Sequence, residues 1–394
     1  MRFPRGSATE PLPSREPLRR TPPAGRGYRR TPGRDGSGAM RAWAELLRVS
    51  ALFTVPGDAL AGAAALGIRP NRGTALAVGA SLCLYEAGMA LNDWADREED
   101  TVDRPHRPIP SGRITPAAAL TAAGALTAAG LALASRAGCP ALAVATALSA
   151  TVWSYDLHFK HTAGGPAAMA AARGLDLVLG AVATGAAPRG ARGARGAALV
   201  ALPSAAVLAG HTYAVTAVSR HEAQGGSTAV PLAALAANLG LGALVSRVQR
   251  VSVLAPRGAP AGRPGPQLPV PGPGSGGLPP TRRSRISIQP ARGGSGESTS
   301  RSSRPPALMD PLTPTRVLAT ALAAAYIRTA AKPLLHAALN PSPQLTQRAV
   351  GGGIRAVIPL QAALAARTGA GATALALMGL VPLARKLARK VSPT

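Results

Sequence analysis

The sequence predicts an all-α fold, a polytopic bundle of about nine transmembrane helices. The hydrophobic fraction is 46% while aromatic residues make up only 3%, so alanine and leucine dominate the apolar part of the chain. They fill segments of roughly 18–22 residues with little or no charge, the length needed to cross about 30 Å of hydrocarbon. A soluble alanine-rich bundle would show charged residues at helical spacing, and most of these segments do not.

The predicted spans fall into two blocks. Residues 1–40 are rich in Arg, Pro and Gly and are predicted to form a disordered basic tail, with an overextended start before Met40 as the alternative. Residues 248–312 combine Pro, Gly, Arg and Ser without apolar periodicity, which predicts a disordered insertion. The first block is therefore 41–247, with seven helices and an Asp-rich motif at 92–108, and the second is 313–394, with the C-terminal helices and a basic tail. The nine spans are 43–68, 73–91, 116–136, 139–156, 167–187, 197–218, 228–247, 314–331 and 354–383, the last being one long helix or two shorter ones.

The formal net charge of +27 favours a membrane surface over nucleic acid as the partner. The Arg residues lie in tails and loops, with few aromatic residues among them for base stacking, so no nucleic-acid partner is expected. The connections 92–115, 157–166 and 219–227 share one side of the membrane if the spans alternate. Two of them are rich in basic residues, which favours the cytoplasmic side of the cell membrane. Cys83 and Cys139 lie singly in apolar segments, so neither a zinc site nor a disulfide is implied.

The most unusual stretch directly follows the second span. The whole chain has 17 acidic residues in 394, yet the eleven positions from Asp93 to Asp103 hold six of them. If the helix continues through this stretch, Asp93, Asp96, Asp100 and Asp103 fall on one stripe, with Asn92 one turn below Asp96. Four carboxylates so placed repel one another unless a cation neutralises them, and carboxylate oxygens suit a hard ion such as Mg²⁺.

Basic residues follow this acidic stripe at once. Arg104, His106 and Arg107 carry donors suited to phosphate oxygens. Acidic and basic groups together at a membrane face predict a site for a metal-bound diphosphate whose lipid tail runs into the bundle. A solvated charge run is the alternative, whereas a calcium loop is disfavoured because no Gly turn with a closing Glu is present.

The string NDWADREEDTVDRPHRPIPSGRIT resembles the first Asp-rich motif of the UbiA family of membrane prenyltransferases. The resemblance covers roughly 41–247 and 314–383. It implies that Asp93, Asp96 and Asp100 coordinate Mg²⁺ on a diphosphate with help from Asn92. It also implies that Arg104 and Arg107 contact phosphate, in a bundle of mostly nine helices with a lateral opening for the isoprenoid. Members of the family transfer a prenyl group to an aromatic or other lipophilic acceptor.

The connection after the fourth span, SYDLHFKHTAGG, resembles the family's loop that carries Tyr and Lys. Tyr155, Asp156 and Lys160 are therefore candidate contacts for the diphosphate or the acceptor, with Lys160 as a candidate catalytic residue. An interfacial anchor is the alternative for Lys160. His158 and His161 are expected to be interfacial rather than metal ligands.

Two charged residues lie inside the next span. Arg173 and Asp176 are three positions apart and are expected to face each other. Such a pair is costly within a membrane and is therefore a candidate substrate contact. Asp58, in the first span, either lines an acceptor pocket or lies at a helix end beside Pro56 and Gly57.

The family's second Asp-rich motif is mostly missing. The corresponding stretch, HTYAVTAVSRHEAQGGST from His211 to Thr228, keeps the Gly-Gly and Thr but has Glu222 as its one carboxylate. Arg220 and His221 stand where acids are expected. Arg220 could replace the second metal ion by offsetting diphosphate charge directly. The alternative is a capped helix end followed by a Gly turn.

The function predicted on these grounds is an Mg²⁺-dependent membrane prenyltransferase that uses a prenyl diphosphate and a lipophilic acceptor. The degenerate second motif supports one alternative, a UbiA-like protein that binds or carries an isoprenoid-like lipid without transferring it. An ion transporter is disfavoured because the carboxylates lie at a membrane face rather than at mid-helix depth.

Overall fold

The computed structural model describes residues 35–186, 190–222, 226–247 and 313–391. Every regular element within these ranges is a helix, which confirms the predicted all-α class. Two short non-α turns also occur, a 3₁₀ turn at Val49–Thr54 and a π-helical turn at Tyr155–Phe159. The α-helices are α1 Asp35–Leu46, α2 Pro56–Ala65, α3 Arg72–Ala95, α4 Arg97–Asp103, α5 Pro116–Ala137, α6 Cys139–Ser154, α7 Gly165–Ala186, α8 Gly190–Ser219, α9 Ala229–Ser246, α10 Pro314–Leu339, α11 Pro343–Arg367 and α12 Gly371–Val391.

Six helices in the described ranges are long and apolar enough to cross a membrane. Two shorter apolar stretches, Leu52–Ala65 and Gly371–Pro382, accompany them, so the predicted count of nine is approximate. The sequence thus codes for a multi-pass helical bundle. The six long spans lie within α3, α5, α7, α8, α9 and α11.

The prediction of one continuous helix over 43–68 is wrong. Helix α1 ends at Leu46, and Arg48 then adopts a left-handed backbone with φ 48° and ψ 45°. A residue with a side chain rarely adopts this conformation, so it interrupts the helix. Pro56 then begins α2, a position where its missing N–H costs nothing.

The C-terminal helices are also longer than predicted. Helix α10 continues to Leu339 instead of ending near 331. Helix α11 begins at Pro343, where the Ser342 side chain accepts a hydrogen bond from the Leu345 amide as an N-cap. The predicted segment 354–383 is divided, because Gly369 with φ 91° separates α11 from α12.

Small residues let α2 and α7 approach closely at the centre of the bundle. A side chain at Gly62 would collide with the backbone of Leu177, and one at Gly180 would collide with the backbone of Ala59. Such contacts between small residues are a main source of helix association in membranes. The crossing fixes α2 beside the helix that carries Arg173 and Asp176.

Helix α1 supports the connection that carries the Asp-rich motif. All three tryptophans of the chain, Trp43, Trp94 and Trp153, pack on one small apolar cluster at this end of the bundle. Tryptophan favours the membrane–water boundary, so the cluster marks the depth at which the motif lies. Glu45 of α1 also forms an ion pair with Arg113 at 2.7 Å. Helix α1 begins at Asp35, inside the stretch predicted as a tail, while the predicted insertion at 248–312 lies outside the described residues.

Candidate functional site

The acidic motif lies where the long helix α3 gives way to the short helix α4. Asp96 joins the two helices with φ −85° and ψ 3°, so the helix does not run unbroken to Asp103 as predicted. Asp93, Asp96 and Asp100 are buried, with exposed fractions of 4%, 9% and 1%. Asp103 is exposed at the end of α4. The predicted four-carboxylate stripe is therefore wrong at Asp103, whereas the other three carboxylates are buried.

Basic side chains contact each of the three buried carboxylates. One guanidinium nitrogen of Arg107 bridges two of them, at 2.6 Å from Asp100 and 3.4 Å from Asp93. Arg48 lies 3.2 Å from Asp93, and Arg104 lies 3.4 Å from Asp100. These contacts are the charge-assisted type that makes buried carboxylates tolerable.

The third carboxylate, Asp96, has a different set of neighbours. The Lys160 ammonium donates a hydrogen bond to it, which ties the Tyr-and-Lys loop to the Asp-rich motif. Asp96 also groups with Glu99 and His161, and one potential ligand atom from each lies within 4.8 Å of the other two. His161, which was expected to be interfacial rather than a metal ligand, therefore lies beside two acidic residues of the motif.

The donor set fits a hard divalent cation. Carboxylate oxygens, such as those of the buried aspartates on α3 and α4, are the ligands that Mg²⁺ prefers. Guanidinium groups of Arg48 and Arg107 lie against Asp93 and Asp100, so positive charge already approaches these two carboxylates. Asp93, Asp96 and Asp100 are the residues that would hold the ion, as the resemblance implies.

The loop after α6 brings a fourth acid to the same region. It starts with the π-helical turn Tyr155–Phe159, a conformation that is frequent at functional sites. Burial raises the pKa of Asp156 to about 6, although the hydrogen bond from the Asn92 amide at 3.1 Å lowers it. Asn92 therefore contacts Asp156 in this structure, between the first motif and the Tyr-and-Lys loop.

The degenerate second motif lies beside this region. Arg220 follows α8 directly, is exposed, and donates a hydrogen bond to the Thr162 carbonyl in the Tyr-and-Lys loop. Burial raises the pKa of Glu222 while the nearby Arg104 lowers it, so Glu222 lies within electrostatic reach of the Asp-rich connection. Arg220 thus contacts the Tyr-and-Lys loop, while the charge of Arg104 acts on Glu222.

A cavity of about 450 Å³ lies inside the bundle next to these residues. Its walls are mostly apolar, formed by residues such as Leu84, Leu148, Val152 and Val357. A volume of this size is ordinary for a site that encloses a small ligand or part of a larger one. The polar groups at its wall include Arg48, Asn92, Tyr155, Asp156, Arg173, Asp176 and His211.

The expected pairing of Arg173 with Asp176 is wrong. Arg173 forms its ion pair with Asp58, at 3.0 Å between Nε and Oδ2. Gln361 also donates to Asp58, at 2.6 Å, and Asp176 accepts a hydrogen bond from Ser81. An i,i+3 spacing allows contact along one helix, but the close approach of α2 gives Arg173 a nearer carboxylate. Asp58 is fully buried in the first turn of α2, so of its two predicted roles the helix-end position is the one observed.

Several residues at the site escaped prediction. Arg48 lies inside the predicted apolar span 43–68, and a charged residue within such a span is an indication of a functional site. His211 was seen only as the start of the second motif. It is fully buried, with its ring nitrogens 2.7 Å from the Asn238 side-chain oxygen and 3.1 Å from the Gly353 carbonyl. The Tyr326 hydroxyl lies 3.1 Å from the same ring, so the partners of His211 are on three other helices, α9, α10 and α11. A lone histidine in an apolar run does not indicate such partners.

The fold and the site define a class: a multi-pass helical membrane protein with clustered acidic and basic groups at the edge of an apolar cavity. The profile of the UbiA prenyltransferase family matches residues 50–249, about half of the chain, and the protein belongs to that family. Membership confirms the resemblance seen in the Asp-rich string.

Curated relatives cover only part of this chain. A digeranylgeranylglyceryl phosphate synthase of Methanopyrus kandleri is 37% identical over 128 residues, which is 31% of this chain and 45% of the relative. The protein of the same name from Ignicoccus hospitalis is 41% identical over 80 residues, 20% of this chain and 26% of the relative. The chain thus spans less than half the length of these relatives.

Among solved structures, a UbiA homologue from Aeropyrum pernix K1 in its apo form aligns with a TM-score of 0.50 at 17% identity. The alignment covers 77% of this chain and 96% of that one, and at this identity it shows a likeness of fold alone.

Proposed function

We propose that the protein is an integral-membrane prenyltransferase that moves an isoprenoid chain from a prenyl diphosphate to a lipophilic acceptor with the aid of Mg²⁺. The observation that carries the proposal is the burial of Asp93, Asp96 and Asp100 directly after Asn92, which lines an apolar cavity. Three buried carboxyl groups at such a position are costly unless they serve a cationic ligand. The family to which the chain belongs supports the same chemistry.

The reaction breaks the bond between the allylic carbon and the diphosphate oxygen, and forms a bond from that carbon to the acceptor, which loses a proton. Asp93, Asp96 and Asp100 would hold Mg²⁺, which supplies charge neutralisation for the departing diphosphate when bound. Lys160 and Arg107 already lie against these carboxylates and can donate to phosphate oxygens from the same positions. The apolar walls of the cavity keep water away from the developing allylic cation.

The acceptor is proposed only as a class. Relatives that share part of this chain include proteins named digeranylgeranylglyceryl phosphate synthase and one named bacteriochlorophyll synthase. These names indicate different acceptors, so we propose a lipophilic acceptor without choosing between an aromatic compound and a prenylated glyceryl phosphate.

The test is transfer by purified protein in liposomes. Labelled prenyl diphosphates of several lengths are supplied with an acceptor panel that contains aromatic compounds and prenylated glyceryl phosphates. We expect a labelled lipid product with Mg²⁺ and none with chelator. Transfer that persists in chelator, or full activity in the Asp93→Asn, Asp96→Asn double variant, would refute the proposal.

The loss of all but one acidic residue from the second motif supports a second candidate, a UbiA-like protein that binds an isoprenoid diphosphate without transferring it. The same experiment separates the two. Metal-dependent binding of prenyl diphosphate with neither transfer nor hydrolysis across the whole panel would favour the carrier.

A further inference from the structure

The second half of the chain is nearly devoid of carboxylates. After Asp176, the sequence contains three acidic residues, Glu222, Glu297 and Asp310. Two of these lie in 248–312, outside the described residues, so Glu222 is the one carboxylate that the described part of α8 to α12 and their connections contributes. A divalent cation such as Mg²⁺ needs several oxygen ligands, including at least one or two carboxylates. This side of the bundle therefore lacks the groups for a metal site of its own.

A guanidinium takes the place of the missing acids. Arg220 is the first residue after α8, and its preceding neighbour Ser219 lines the cavity. The hydrogen bond from Arg220 to the Thr162 carbonyl fixes it against the loop that carries Lys160. Burial raises the pKa of Tyr155, the carboxylates of Asp156 and Asp96 raise it further, and Arg220 lowers it. Arg220 and the acidic motif thus act on the same phenol at the cavity wall.

The charges of the ligand match this arrangement. A prenyl diphosphate carries roughly two to three negative charges near neutral pH. One divalent cation offsets two of them, which leaves about one for the protein. A guanidinium is always charged, and its planar fork binds phosphate oxygens with two parallel hydrogen bonds.

We infer that this protein takes one divalent cation, not two, with its diphosphate substrate, and that Arg220 at the end of α8 supplies positive charge in place of the second cation. The inference rests on the proposed function, because it assumes that a prenyl diphosphate is bound at the Asp-rich motif. It adds a specific stoichiometry and a specific residue for the leaving group.

The first test counts metal ions. The full-length protein in detergent micelles is titrated with Mn²⁺ in the presence of inorganic pyrophosphate, and bound Mn²⁺ is measured by electron paramagnetic resonance. We expect one Mn²⁺ per chain. Two ions per chain would overturn the inference while leaving the proposed function intact, whereas no bound ion would contradict the metal dependence of the proposed function itself.

The second test measures pyrophosphate affinity at saturating Mn²⁺. Loss of a charge-assisted contact predicts a roughly tenfold to hundredfold weaker affinity in Arg220→Gln. Arg220→Lys keeps the charge and is expected to stay within about tenfold of the wild type. Arg136→Gln, an exposed arginine at the far end of α5, is the control and should leave affinity unchanged.

Wild-type affinity in Arg220→Gln would overturn the inference. If that variant loses its helical circular dichroism signal, the Lys variant decides instead. A folded Arg220→Lys protein that loses pyrophosphate binding, or that gains a second Mn²⁺, would contradict a role based on charge.

Discussion

Replacing Arg107 by Gln removes the one side chain that bridges two buried carboxylates. Its nitrogen lies 2.6 Å from Asp100 and 3.4 Å from Asp93, and its side chain is only 20% exposed. Breaking a fully buried ion pair costs about 3–5 kcal/mol. Here Arg48 remains 3.2 Å from Asp93 and Arg104 remains 3.4 Å from Asp100, so we expect a smaller cost of about 2–3 kcal/mol.

The cost is measurable as a melting temperature in detergent. At roughly 2–4 °C per kcal/mol, Arg107→Gln should lower Tm by about 4–12 °C. Arg104→Gln is the matched control, because its side chain is 52% exposed and its one carboxylate contact is at 3.4 Å. Exposed pairs contribute about 0–1 kcal/mol, so the control should lower Tm by no more than about 4 °C.

The effect of Mn²⁺ on Tm is a second measurement on Arg107→Gln. Arg107 and a divalent cation neutralise the same two carboxylates, so its removal should increase the stabilisation that Mn²⁺ provides. We expect a larger rise of Tm with Mn²⁺ in Arg107→Gln than in the wild type. Equal losses of Tm in the two arginine variants, or an unchanged response to Mn²⁺, would refute the reasoning.

Further predictions concern titration and packing. Burial raises the pKa of Asp156 from 3.8 to about 6, so between these pH values the folded protein binds a proton that the unfolded protein does not. The stability of the wild type relative to Asp156→Asn should therefore fall as pH rises from about 4 through 6. A difference in Tm that stays flat across this range would contradict it. Gly180→Ala should destabilise the protein by about 1–3 kcal/mol, because the added side chain would collide with the backbone of Ala59. Gly124→Ala, which has no atom near the added side chain, should be neutral or slightly stabilising. Thermal melts that rank the two variants the other way would exclude close packing at Gly180. Tyr326→Phe removes the hydroxyl that donates to Asn238 and should lower the free energy of unfolding by about 0.5–1.7 kcal/mol. A large loss of pyrophosphate affinity in this variant would show that the hydrogen bonds among Tyr326, Asn238 and His211 serve the site directly.

The helical bundle could be predicted because its cause is local. Runs of alanine and leucine of membrane-spanning length need no partner to be recognised, and six described helices meet that description. Helix interruptions were harder to foresee. Arg48 adopts a left-handed backbone, and its side chain contacts Asp93, which lies 45 residues later in the chain and so cannot be chosen from local pattern.

The candidate site was predictable as a group but not in its pairings. Asp93, Asp96 and Asp100 could be chosen from spacing on one helix, since all three lie within eight residues. The change of direction at Asp96, which leaves Asp103 exposed, is a feature of the backbone that spacing on an ideal helix does not include. The partner of Arg173 likewise depends on which helix packs against α7, and that follows from contacts between small residues of α2 and α7.

The central claim is that the buried aspartates hold a metal ion which receives a prenyl diphosphate. Equilibrium binding of a prenyl thiolodiphosphate, whose leaving group departs slowly, tests it directly as Mg²⁺ is titrated. For the wild type we predict an affinity that rises at least about 100-fold with Mg²⁺, equivalent to about 2.8 kcal/mol, and little rise in the Asp93→Asn, Asp96→Asn double variant. Equal affinity with and without Mg²⁺, or an unchanged rise in the double variant, would contradict it.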